Sequence, residues 1–310
     1  MKGKMTFCSI TAASLPLLFA SMGAEAAPRY TAWSKAEPVA EVNDPAFPDG
    51  CPIESRDGLS LYIASNRTGT LGANDIWAAD RARKIDPWGE PQNLGAPVNT
   101  DTADFCPTPV DGSYLMFVSE RPGPETCGAG PGLGDIYIVR RNAAFGWGEP
   151  KHLGCLENGT GPNSAAAEFS PSLVTTDHGT YLYFSSTSSG NHDIYVSKLK
   201  NGTFGPPSPV AELNTEFDDR MPNVSSDGLE VVFSSTRPMD AKGAASFGSF
   251  DVFHARRNNT KQAFSAPVNL GSRVNTAGSE TRSTISWDLR RLYFGRDGEI
   301  YSASRKERTP

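Results

Sequence analysis

The chain has 310 residues, 38% hydrophobic and 21% charged, with a formal net charge of −6. It is long enough for a sizeable core, too apolar for disorder, and too acidic, with no basic run, for a nucleic-acid partner. Its 30 glycines and 24 prolines exclude long helices and favour many short strands joined by turns.

The first predicted element is a leader. Lys2 and Lys4 precede the apolar stretch Ile10 to Met22, and Ala24-Glu25-Ala26 is the small-x-small pattern that a signal peptidase cuts. Cleavage after Ala26 would leave 284 of the 310 residues, with 27 basic and 34 acidic side chains. The expected location is therefore periplasmic or secreted. No later stretch approaches the roughly 20 apolar residues of a transmembrane helix, so no membrane span is expected. Cys51, Cys106, Cys127 and Cys155 remain, an even number in an oxidising compartment, and two disulfides are expected.

The rest of the chain repeats itself. Apolar strands are predicted at Leu59 to Ser65, Tyr114 to Glu120, Tyr181 to Thr187, Leu229 to Ser235 and Arg291 to Arg296. Three follow Asp-Gly turns at Asp57-Gly58, Asp111-Gly112 and Asp227-Gly228, with His178-Gly179 and Asp288-Leu289 as divergent copies. Each strand leads through a loop to a triplet: Asp75-Ile76-Trp77, Asp135-Ile136-Tyr137, Asp193-Ile194-Tyr195, Asp251-Val252-Phe253 and Glu299-Ile300-Tyr301. The acid at the head of each triplet is expected to hydrogen-bond its own loop or the preceding arginine.

An aromatic-Pro segment then recurs at Trp88, Trp147, Phe204 and Phe264, spaced by 59, 57 and 60 residues. The fifth copy lacks this segment, while an orphan one, Trp33 to Pro38 and on to Asn43, opens the mature chain. A ring closed by the N-terminal strand joining the last repeat accounts for both ends and hides the sheet edges.

The repeat resembles the TolB-type, WD40-like β-propeller unit, most closely at Pro222 to Asp227-Gly228 and on to Phe233-Ser-Ser-Thr-Arg237. The resemblance implies an all-β fold: a single five-bladed β-propeller over residues 27–310, with four-stranded antiparallel blades. It also implies that the strand before each Asp-Gly turn is innermost. Three residues before Pro52, Pro107, Pro171, Pro222 and the equivalent Ser283 stand Asp49, Asp104, Glu168, Asp219 and Glu280. Five acids around one mouth would repel, so they require raised pKa values, a bound cation such as Ca²⁺, or basic neighbours. Arg67, Arg121, Arg237 and Arg296 are the candidates on that face, with Arg220 and Arg282 beside the ring.

Departures from the repeat mark the same face. A long loop, Arg121 to Gly134, carries Cys127, and the following connection carries Cys155; a bridge between them would staple a raised wall. Cys51 and Cys106 occupy equivalent places in adjacent inner strands and form the second candidate bridge. A second long loop runs from Pro238 to Phe250. His152, His178, His192 and His254 form no His-x-His pair, and no Cys-x-x-Cys, nucleophile elbow or phosphate loop occurs.

Two functions follow. The first is an exported, monomeric, non-catalytic binding or scaffold protein for an envelope protein, peptide or glycan. Its candidate ligand-binding residues are Asp49, Asp104, Phe105, Glu168, Phe169, Asp219, Arg220 and Glu280, and it needs no cofactor. The alternative is a propeller glycosidase using Asp49, Asp104 and Glu168, with Glu168 as acid and Phe105 and Phe169 as sugar platforms.

Overall fold

The computed structural model describes residues 29–122, 127, 133–142 and 146–308. The leader and its cleavage point fall outside the described residues, as does most of the long loop between Arg121 and Gly134. Among the described residues the secondary structure is entirely strand and turn.

The strands form five antiparallel sheets around one axis, a five-bladed β-propeller. From the inner edge outward, blade I contains Asp49–Glu54, Ser60–Ser65, Asp75–Asp80 and Gln92–Asn93. Blade II contains Asp104–Asp111, Tyr114–Ser119, Asp135–Asn142 and Lys151–His152. Blade III is built from Glu168–Thr176, Gly179–Ser186, Asp193–Lys200 and Ser208–Pro209. Blade IV holds Asp219–Val224, Glu230–Ser235, Asp251–Arg256 and Val268–Asn269. Blade V takes Glu280–Ile285, Arg291–Arg296 and Glu299–Ser304 from the end of the chain and its outer strand, Glu37–Pro38, from the beginning. Glu37 pairs with Ser302 and Pro38 with Tyr301, the closure expected from the orphan segment. Buried Arg305 locks the seam, its guanidinium 4.3 Å from the Tyr30 ring and 4.2 Å from that of Trp33, and 2.8 Å from Glu230.

Local chemistry explains the hairpins. In blade I the Ser55 hydroxyl donates to Asp57 (2.6 Å), the Leu59 amide donates to the same carboxylate (3.0 Å), and Gly58 supplies the left-handed φ of 73°. Blade IV repeats the turn with Gly228 at 72°. In blade V Leu289 takes that place at 62°, its side chain buried between blades.

The core is divided rather than central: five apolar clusters each lie between two neighbouring blades. Phe117, Phe184, Phe233 and Phe294, from the second strands of blades II to V, are all within 1% of full burial.

Candidate functional site: the channel mouth

The inner strands all begin at one end of the axis, and their first three residues build that end in layers. The first residue of each strand is an acid: Asp49, Asp104, Glu168, Asp219 and Glu280. The sequence leaves these carboxylates either facing one another across an opening or held by neighbouring arginines. The structure takes the second course and corrects the first, because all five are 0 to 3% exposed and point into the blades. Unpaired, such groups would cost several kcal/mol each, and every one is satisfied locally.

One oxygen caps the loop before the strand, accepting the amide of Asp44, Thr100, Ser164, Thr215 or Thr276. In four blades the other oxygen meets an arginine: Arg67 to Asp49 (2.5 Å), Arg121 to Asp104 (2.8 Å), Arg237 to Asp219, and Arg296 to Glu280 (2.7 Å). The same guanidinium donates to the carbonyl of Val42, Val98, Leu213 or Val274 on the incoming connection. It also lies 4.2 to 5.5 Å from the aromatic ring of the triplet, Trp77, Tyr137, Phe253 or Tyr301. The recurring acid, arginine and triplet aromatic are thus three parts of one latch. A divalent ion at these carboxylates would have to displace donors that already occupy both oxygens.

A fourth part escaped the sequence reading. An asparagine stands five residues before four of the acids and six before the first: Asn43, Asn99, Asn163, Asn214 and Asn275. Its amide bonds both backbone groups of the triplet's second residue in the preceding blade. Asn99, for example, accepts from Ile76 N–H and donates to Ile76 C=O, both at 2.9 Å. Asn43 does the same to Ile300 across the ring closure. Aligning on the acids and reading backwards would have exposed it.

Blade III breaks the pattern. Ser188 stands where the arginine would be and donates to Tyr195 Oη at 3.2 Å. Glu168 is left with neutral donors: the amide and hydroxyl of Ser164 (2.9 and 2.6 Å) and the Ser186 hydroxyl (2.8 Å). Burial without a cation pushes its pKa up to about 7. Because the folded value lies above the unfolded one, this carboxyl stabilises the fold fully below about pH 4.5, and the contribution is lost as pH rises through about 7. Relative to Glu168→Gln, the wild type is therefore expected to lose about 2–3 kcal/mol between pH 5 and pH 8. Urea unfolding of both proteins at several pH values checks this; a pH-independent difference would contradict it.

The second layer faces solvent and is asymmetric. At this register stand Gly50, Phe105, Phe169, Arg220 and Thr281, all partly exposed. Phe105 and Phe169 are 5.7 Å apart between ring centroids, and Phe169 is 5.4 Å from His192. The Arg220 guanidinium carbon lies 3.8 Å from the Phe250 ring centre. His192 and Phe250 each immediately precede a triplet, where other blades have Asn74, Gly134 and Gly298. One half of the mouth, from blade II to blade IV, is thus a continuous arc of rings with one cation. The other half is nearly bare: a Cβ at Gly50 would meet nothing within 4 Å. Phe105, Phe169 and Arg220 were legible as candidates; His192 and Phe250 were not, since they stand out only against the other copies of their position.

The third layer closes the axis. A bulge in every inner strand gives Cys51, Cys106, Ser170, Met221 and Arg282 φ values of 48° to 59°. Such values cost a non-glycine residue about 1–2 kcal/mol each. They re-aim the strand so that Cys51 and Cys106 join as a disulfide between blades I and II, with Cα atoms 4.9 Å apart. Ser170 donates to Cys106 Sγ at 3.3 Å. Arg282 is expected from sequence to stand beside the acids. Instead it runs to Thr108 Oγ1 (2.9 Å) and the carbonyls of Pro107, Pro171 and Pro222 (3.3 to 3.4 Å). Full burial pulls its pKa down to about 9.

The second expected disulfide, Cys127–Cys155, is also present, with Cα atoms 5.4 Å apart. His152 completes a group whose ligand atoms lie within 4.8 Å of one another, the composition of a zinc site. In the disulfide state, however, the sulfurs are bonded to each other. The ring is also engaged, Nδ1 by the Gly154 amide (3.1 Å) and Nε2 by Asp135 (3.1 Å).

No family model and no curated protein matches the sequence. Solved structures do share its fold. The α-L-arabinofuranosidase of Podospora anserina, solved with cellotriose, superposes with a TM-score of 0.53 at 12% identity, covering 90% of this chain and 98% of that one. An α-L-arabinofuranosidase from Lactobacillus brevis gives 0.52 at 10% identity, covering 87% and 94%. A TolB-like protein from Agrobacterium tumefaciens gives 0.47 at 14%, covering 84% and 91%. At these identities the likeness is one of fold.

Proposed function

We propose that the protein is an exported glycan-binding propeller that holds its ligand at the channel mouth. The observation that carries this reading is the arc of Phe105, Phe169, His192, Arg220 and Phe250. Aromatic faces exposed around one half of an opening are stacking platforms for the apolar face of a sugar ring. The bare half, at Gly50, leaves room for the ligand. The acids serve the scaffold, so capture proceeds without turnover. Two disulfides, and the lack of any helix among the described residues long and apolar enough to cross a membrane, accord with export.

Hydrolysis is the second reading, favoured by one observation: Glu168 lacks an arginine, and its pKa of about 7 is what a general acid needs. The fold shared with arabinofuranosidases points the same way.

Calorimetry with arabino-, xylo- and cello-oligosaccharides, combined with an assay for new reducing ends, separates the two. Binding without product is expected, with Phe169→Ala weakening it about tenfold or more. Product release abolished by Glu168→Gln would replace the first reading with the second; binding untouched by Phe169→Ala would remove the mouth as the site.

A further inference from the structure

Among the described residues the most deeply buried arginines reach a carboxylate or a set of carbonyls, even where one of their nitrogens is unpartnered, as at Arg282 Nε; half-buried Arg220, facing the mouth, reaches neither. Arg67, Arg81, Arg237 and Arg305 each reach a carboxylate. Arg282 has the hydroxyl and carbonyls of the axis. Arg220 has no carboxylate within 4 Å among the described residues, and its Nε is buried with no hydrogen-bond partner among them. Its guanidinium is instead held by Phe250, which orients its donors without consuming them.

The groups around it reinforce the point. His192 also presents a buried, unpartnered Nδ1, and burial followed by the charge of Arg220 pulls its pKa down. Asp218 is the carboxylate whose charge is felt by both, but one of its oxygens accepts the His192 amide at 3.0 Å. At the same register the other blades carry Gly50, Phe105, Phe169 and Thr281, so the cation is a single feature on one side of an aromatic surface.

Resting on the glycan-binding reading above, we infer that the ligand is an acidic glycan, a uronate-bearing oligosaccharide whose carboxylate is received by Arg220 while its rings lie on Phe169 and Phe105. A guanidinium fork matches a carboxylate with two parallel hydrogen bonds, and a partly desolvated fork gains most from one. A neutral sugar offers only single hydroxyl acceptors, without the charge that strengthens the pair.

The test uses the whole mature protein and three probes: a trigalacturonate, its fully methyl-esterified form, and triglutamate. The quantity read is the ratio of Kd values. Wild type is expected to prefer the free acid over the ester by about tenfold or more, with the preference shrinking as salt rises. Arg220→Gln should bring the ratio close to one, and Phe250→Leu, which removes only the supporting ring, should lower it part-way. Equal binding of acid and ester by wild type would overturn this inference while leaving the glycan reading intact. Binding of neither sugar would overturn this inference, and the glycan reading with it if the arabino-, xylo- and cello-oligosaccharides also go unbound. A preference that survives in both variants would show that Arg220 is not the receiver, and triglutamate bound as tightly as trigalacturonate would replace the glycan with an acidic peptide.

Discussion

Replacing Arg237 with alanine is expected to cost about 3–5 kcal/mol of folding free energy, because it strands a fully buried carboxylate. Asp219 is 0% exposed and would keep only the Thr215 amide and hydroxyl. The Leu213 carbonyl would lose its donor at 2.6 Å, and the rings of Phe233 and Phe253 would lose the guanidinium lying 5.2 and 5.1 Å from them. The surface pair Arg83–Asp86 makes the control. Its 2.7 Å contact is as short as those in the latches, yet the arginine side chain is 71% exposed, so Arg83→Ala should cost less than about 1 kcal/mol. Urea unfolding of the two variants decides the matter. Equal, small losses would mean that the repeated acid and arginine pair does not hold the blades.

Removing the axial disulfide is the second large effect. Cys51 and Cys106 are 55 residues apart, and chain-entropy reasoning assigns a loop of that length about 4 kcal/mol. Cys127 and Cys155 span only 28 residues, and the logarithmic dependence alone makes their bridge worth about 0.6 kcal/mol less. Position widens the gap, since Cys106 is 1% exposed at the floor of the mouth and receives the Ser170 hydroxyl. The Cys51→Ser, Cys106→Ser double variant is therefore expected to lower Tm further than Cys127→Ser, Cys155→Ser. The opposite ranking in a thermal melt would contradict the role given to the axial bridge.

These effects show what could be read before any coordinates. Asp-Gly turns, alternating strands and aromatic triplets are local signals, so the number of blades and the closure by residues 37–38 were legible. So were both disulfides: Cys51 and Cys106 hold equivalent positions in adjacent blades, and Cys127 and Cys155 lie in insertions that the repeat puts on one face. The orientation of the acids was not. A carboxylate repeated in every blade looks the same in sequence whether it faces an opening or its own arginine, and only the register of Asp49 opposite Ser65, with Arg67 two residues on, turns it inward. Arg282 was misplaced for a related reason: the bulge at its left-handed φ of 48° sends the side chain along the axis, and nothing local in the sequence marks a bulge without glycine. The site itself emerged from the differences between copies. Arg220 and Phe250 are ordinary residues until they are set against Gly50 and Gly298.

The central claim is a division of labour at the mouth, with acids for the scaffold and an arc of rings for the ligand. A crystal structure with a bound oligosaccharide tests it most directly. Sugar rings resting on Phe105 and Phe169, with Asp49, Asp104, Asp219 and Glu280 still on their arginines, is the predicted result; sugar hydroxyls bonded to those carboxylates, or a ligand seated away from the mouth, would contradict it.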